Sequence, residues 1–149
     1  MKKEPFYKKV KVIPAVMVFV LDEEENILLL KRTDNDKWEP VKGGINFGET
    51  WLEAAFRELD EETGFRPKNY PELMAVVDDE LDTNQGKKTK IRGYVSCCQI
   101  AGVRLVPKLE EENGEVEHND YKWITRQELE KEIIYPPVAD QQKWVLISK

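Results

Sequence analysis

Apolar residues are grouped along this chain in two ways. Residues 11–21 (KVIPAVMVFVL) and 27–32 (ILLLKR) are almost unbroken runs of aliphatic and aromatic side chains, separated by the polar Asp22 to Asn26. They predict a β-hairpin or a neighbouring pair of strands. Because the runs barely alternate, both faces of those strands should be covered, with helices on either side of the sheet. Residues 73–81 (LMAVVDDEL) and 89–100 (TKIRGYVSCCQI) also read as strands, joined by a turn at 82–87, and Tyr121–Ile124 reads as a short one. Val103 to Leu109 could add another. The segment 33–44 (TDNDKWEPVKGG) reads as a polar loop, 110–120 (EEENGEVEHND) as an acidic one, and Pro67 and Pro71 mark a third.

The second grouping is helical. Thr50 and Glu53 form a Thr-x-x-Glu capping box, and Gly64 stands where a helix would stop, which predicts a helix over 51–63. Thr125 and Glu128 repeat the box and start a helix reaching about Ile134, before Pro136 and Pro137. Asp140 to Ile147 could form a last helix.

On the first helix, Glu61 and Glu62 lie about 300° and 400° beyond Glu58, so the three carboxylates fall in one sector of about 100°. Ala54, Ala55 and Leu59 supply the opposite, packed side. Acids spaced this way repel one another, and more strongly if desolvated, so a cation belongs beside them. Oxygen ligands with room for water and phosphate suit Mg²⁺ or Mn²⁺. A solvated acidic face is the bland alternative.

Composition narrows the partners. With 149 residues, 40% of them hydrophobic, the chain suits one compact domain. A net charge of −6 argues against DNA, against anionic membranes and against a long RNA track, since such binding releases counterions from a basic surface. An anionic substrate must instead be drawn in locally. Cys97 and Cys98 are adjacent, a poor arrangement for a disulfide, and read as reduced thiols of a cytoplasmic protein. The run at 12–21 follows several lysines but carries Pro14 and lacks a small-residue cleavage site, so it reads as a strand and not as a signal sequence. His118 is the one histidine, which excludes clusters of histidines around a metal.

Residues 43–65 fit G-x5-E-x7-R-E-U-x-E-E-x-G-U, with U apolar, at Gly43, Glu49, Arg57, Glu58, Leu59, Glu61, Glu62, Gly64 and Phe65. This resembles the Nudix box of the Nudix hydrolases. The resemblance implies an α/β fold, an α/β/α sandwich around a mixed β-sheet, formed by one domain over residues 1–149. It also implies hydrolysis of a nucleoside diphosphate linked to another moiety, by water attack on phosphorus with Mg²⁺ as cofactor and Mn²⁺ as substitute. Glu58 and Glu62 then become metal ligands and Glu61 a further ligand or the general base. The main-chain carbonyl of Lys42 adds a metal contact, and Gly43 and Gly44 let backbone approach the phosphates. Glu49 and Arg57 would aim the helix carboxylates. A base outside the box is also known in the family, and Glu117 is the candidate, in competition with Glu110, Glu111, Glu112 and Glu115.

Substrate contacts are sought among aromatic and basic residues. Trp38 and Tyr121 could stack on a purine, with Trp123 assigned to the core, and His118 could touch substrate from a loop. Arg32, Lys88, Lys90 and Arg92 could meet phosphates. WEPVKGG resembles the W-x-P-P-K-G segment of asymmetric diadenosine tetraphosphate hydrolases, and His118, Tyr121 and Trp123 fit their H-x-x-Y-x-W segment. A dinucleoside polyphosphate is therefore the favoured substrate. A (deoxy)nucleoside triphosphate is the alternative, then an RNA 5′ end, which GGIN followed by GE also resembles. A module that binds a nucleotide without cleaving it would be expected to have lost box acids. The oligomeric state is left between monomer and homodimer.

Overall fold

The computed structural model describes residues 12–68, 72–83, 86–110, 114 and 116–131, with backbone alone at 12–13, 72–83 and 86–98. Seven strands and two helices follow in the order β1 (Val12–Leu21), β2 (Ile27–Arg32), β3 (Trp38–Glu39), β4 (Val41–Gly44), α1 (Trp51–Thr63), β5 (Glu72–Thr83), β6 (Gly86–Gln99), β7 (His118–Ile124) and α2 (Arg126–Lys131). They build one mixed sheet in the order β3-β2-β1-β6-β5, with β4 added to β1 and β7 to β2. This is the α/β architecture expected. Among the described residues no helix is long and apolar enough to cross a membrane.

β1 is the central strand. It runs parallel to β6, antiparallel to β4 over Ala15–Val18, and touches β2 through the pair Leu21 and Ile27. The first two apolar runs are therefore neighbours at one end that diverge, and β4 takes the edge that a simple hairpin would have filled. Alternation then sorts the side chains. Val16, Val18, Val20, Leu28 and Leu30 pack with Ala54, Ala55 and Leu59 of α1. Met17, Phe19, Ile27 and Leu29 are equally buried, so both faces of the sheet are covered, as the unbroken runs require.

Two polar devices fix the connections. Asp22 is fully buried in the β1–β2 turn: its Oδ1 accepts the main-chain N–H of Glu24 and Asn26, and its Oδ2 accepts Asn26 Nδ2 and the N–H of Arg104. One carboxylate thus closes the turn and ties it to the segment after β6. Both capping boxes form as expected, Thr50 with Glu53 and Thr125 with Glu128. Gly64 ends α1 in the left-handed conformation, with φ of 72°.

Several expectations need correction. The polar segment before the box is not all loop, because Trp38–Glu39 and Val41–Gly44 pair with β2 and β1. Within it Glu39 is buried and paired with Lys42, which no hydropathy pattern reveals. Likewise β7 begins at His118, three residues before the predicted strand. Residues 103–109 form no strand and instead run as a linking segment, where Trp123 Nε1 donates to the Leu105 carbonyl. Trp123 is core, stacked on Phe65. The expected helix at 140–147, Pro136 and Pro137, Glu111, Glu112 and Glu115 lie outside the described residues, as do the side chains of Lys88, Lys90 and Arg92.

Candidate active site

The box loop and α1 are locked together by Arg57. Its Nε donates to Glu49 Oε2 at 2.7 Å and its NH2 to Glu49 Oε1 at 3.0 Å, a two-point clamp. NH2 also donates to the Gly44 carbonyl, and NH1 to Glu58 Oε1 at 2.8 Å and Glu61 Oε2 at 3.2 Å. Asn46 N–H donates to the same Glu49 carboxylate, so the loop closes on the helix. Arg57 thus joins Glu49 of the loop to Glu58 and Glu61 of the helix, the contacts that an aiming role would need.

α1 presents its three acids unequally. Glu61 is 46% exposed and pairs with Arg57. Glu58 is buried, its carboxylate lying over Gly43, where a β-carbon would collide with it. Only glycine permits that approach. Glu62 is 2% exposed, and neither of its oxygens has a hydrogen-bond partner. A buried carboxylate without donors is costly, and burial, followed by the neighbouring Glu58, Glu117 and Glu39, pushes its pKa well up. Burial also raises Glu58. A divalent cation fits this donor set: it would supply the charge that the protein leaves out.

Glu39 was missed by sequence reading. It pairs across the sheet with Leu30, and cross-strand partners share a face, here the one packed on α1. The carboxylate is fully buried, meeting Lys42 Nζ and Arg32 NH1 at 3.1 Å each and His118 Nε2 at 2.8 Å. Burial would raise its pKa, but His118, Lys42 and Arg32 outweigh that and hold it below the usual range. Two neighbouring glutamates are thus driven apart, Glu39 downward by its partners and Glu62 upward for want of them. The signal available in the sequence was a Glu flanked by Trp38 and Pro40, too weak without the strand.

A cleft of about 110 Å³ opens beside these residues, lined by Ala15, Val16, Arg32, Lys42, Gly43, Gly44 and Glu117. It joins the proposed phosphate contacts of the box loop to Arg32, Lys42 and the exposed Glu117. It is smaller than the ~300–1,000 Å³ pockets that enclose whole ligands. Trp38 and Tyr121 do not line it. Lys122 Nζ sits 4.3 Å from the Trp38 ring centroid, and Tyr121 packs against the core. His118, expected on an open loop against substrate, is 1% exposed and turned to Glu39.

Residues 11–145 match the NUDIX domain. The chain belongs to the Nudix hydrolase family. Among relatives of this Nudix hydrolase, an RNA pyrophosphohydrolase of Psychrobacter arcticus is 29% identical over 119 residues, covering 74% of the chain and 68% of the relative. Another, from Pelagibacter ubique, is 42% identical over 54 residues, which cover 35% of the chain and 34% of that protein. Among solved structures, a MutT protein from Methanosarcina mazei superposes with a TM-score of 0.71 at 24% identity, covering 92% of this chain and 94% of its own. A Caenorhabditis elegans Ap4A hydrolase superposes with 0.64 at 16% identity, covering 91% and 96%. At those identities the structures share the fold alone.

Proposed function

We propose that this Nudix hydrolase is a Mg²⁺-dependent pyrophosphohydrolase whose preferred substrate is a dinucleoside polyphosphate, with Mn²⁺ able to replace Mg²⁺. The observation that carries the metal dependence is Glu62, a buried carboxylate whose oxygens have no donor. Glu58 and Glu62, with the Lys42 carbonyl beside them, would hold the ion. Bound there, it would neutralise the phosphate chain and lower the barrier to charge building on the leaving oxygen.

The remaining work falls to the chain's own groups. Gly43 and Gly44 give the phosphate chain close access to backbone, and Arg32 and Lys42 bring positive charge to the cleft wall. Glu117, on the same wall, accepts the proton of the attacking water. Glu61 is committed to Arg57 and helps hold the helix end. The bases rest on the open surface around the small cleft, which suits a substrate with a nucleoside at each end. The WEPVKGG segment supports the same choice.

An RNA 5′ end is the second reading, favoured by the relatives named RNA pyrophosphohydrolase. Both substrates present a nucleoside 5′-polyphosphate to the cleft and differ in what lies beyond it. Diadenosine tetraphosphate, a nucleoside triphosphate and a 5′-triphosphorylated oligoribonucleotide, each incubated with Mg²⁺, separate them. ATP plus AMP from the first, at the highest kcat/KM, supports the proposal. Preferential release of pyrophosphate from the oligonucleotide would replace it with the second reading.

A further inference from the structure

Glu62 has box neighbours on its own helix, and it also has neighbours that the box does not contain, Glu39 and His118 among them. His118 Nε2 stands 3.8 Å from Glu62 Oε1 and 2.8 Å from Glu39 Oε1. All three side chains are buried, and one ligand atom from each lies within 4.8 Å of the others. The second observation is that both oxygens of Glu62 lack a hydrogen-bond partner although the group is 2% exposed. We propose that Glu39, Glu62 and His118 form a subsite for a divalent transition-metal ion, in which His118 supplies an imidazole nitrogen and Glu62 is shared with the box.

Spacing and donor chemistry both support this. Ligand atoms in adjacent positions on an ion, each about 2.1 Å from it, stand about 3 Å apart. Glu39 and His118 already have that separation, Glu62 comes within it of His118 by closing under about 1 Å, and its ligand atom lies within 4.8 Å of that of Glu39. Glu39 is also held from behind, because Oε2 takes Lys42 and Arg32 at 3.1 Å while Oε1 faces His118, with Arg32 reaching it at a longer 3.4 Å. Cations on Oε2 fix the carboxylate and leave Oε1 directed at the proposed ion. An all-oxygen set suits Mg²⁺, whereas a set with imidazole shifts preference to first-row transition ions, most strongly to later ones such as Co²⁺ or Zn²⁺ and least strongly to Mn²⁺, the spectroscopic probe. The subsite rests on the metal-dependent reading of the box and adds to it a nitrogen ligand and a different ion preference.

The test uses the untagged full chain, stripped of metal and titrated with Mn²⁺ alone. Pulsed electron paramagnetic resonance reads nitrogen coupling to bound Mn²⁺, and with one histidine in the chain an imidazole coupling has a single source. The expected result is an imidazole ¹⁴N coupling in the native chain that is absent from His118→Asn. That variant, and Glu39→Gln, should weaken Mn²⁺ binding about tenfold or more while changing Mg²⁺ binding less than about twofold. Bound Mn²⁺ without imidazole coupling in the native chain overturns the subsite and leaves the proposed function standing. Failure to bind Mn²⁺ or Mg²⁺ at all overturns both. The native spectrum decides the question even where a variant does not fold.

Discussion

The carboxylate of Glu58 occupies the space over Gly43 in which the β-carbon of any other residue would have to stand. The box glycine therefore has a steric duty to Glu58, and the helix acid is seated against the box loop. Gly43→Ala forces the carboxylate out of that seat. Because the displaced group is the end of a side chain, the fold should survive while kcat/KM falls about tenfold or more, the range found when groups that orient metal ligands are lost. Steady-state kinetics and circular dichroism on the same preparation check both halves.

Arg57 is the next point of failure. Its planar fork serves Glu49, Gly44, Glu58 and Glu61 together, and a lysine can offer only a point charge. Arg57→Lys should lower kcat by about tenfold to a hundredfold at little cost in folding. In a double-mutant cycle with Glu49→Gln, the two losses should be far from additive, since both break one clamp.

Glu117, proposed as the base, offers a way to separate proton transfer from metal binding. It lines the cleft without belonging to α1, so Glu117→Gln should lower kcat about a hundredfold or more, the scale of general-base catalysis. Mg²⁺ affinity, followed by calorimetry, should stay nearly unchanged. An equal loss of affinity would make Glu117 a ligand instead of the base.

Stability has its own pH signature in Asp22. Burial alone would raise its pKa, but hydrogen bonds from Asn26 and the backbone of Arg104 and Glu24 hold it below the ordinary 3.8. An acid whose pKa is lowered by folding stabilises the fold above its unfolded pKa, and that stabilisation is lost as pH falls through the lower folded value. Asp22→Ala should cost about 2–3 kcal/mol at pH 7, because it leaves buried N–H groups without an acceptor. The deficit relative to the native chain should shrink below pH 3.8, as urea unfolding at a series of pH values would reveal.

How far the sequence could be read depended on how local each feature was. Both capping boxes and the glycine stop at Gly64 depend on residues within a turn or two, and they form as read. The acids of α1, in contrast, do not stand opposite Ala54, Ala55 and Leu59, because Glu58 and Glu62 are buried on the same side of the helix. The strands at Ile27–Arg32 and Val12–Leu21 were equally legible because burial on both faces leaves a run of apolar residues. What escaped depends on contacts across the sheet. Glu39 and His118 are charged or polar residues in polar surroundings of the sequence, and only the pairing of β3 and β7 with β2 brings them together against Glu62. β1 and β2 are neighbours in the sheet, as read, but they pair only at Leu21 and Ile27, and β4 takes the rest of that edge of β1 through contacts the sequence pattern does not carry.

The buried acids of α1 are proposed to hold a divalent cation against a pyrophosphate bridge, and turnover of the preferred substrate by Glu62→Gln in saturating Mg²⁺ is the direct test. A fall of about a hundredfold or more in a folded protein is expected. Turnover at the native rate, in the variant with chelator replacing Mg²⁺, would contradict it.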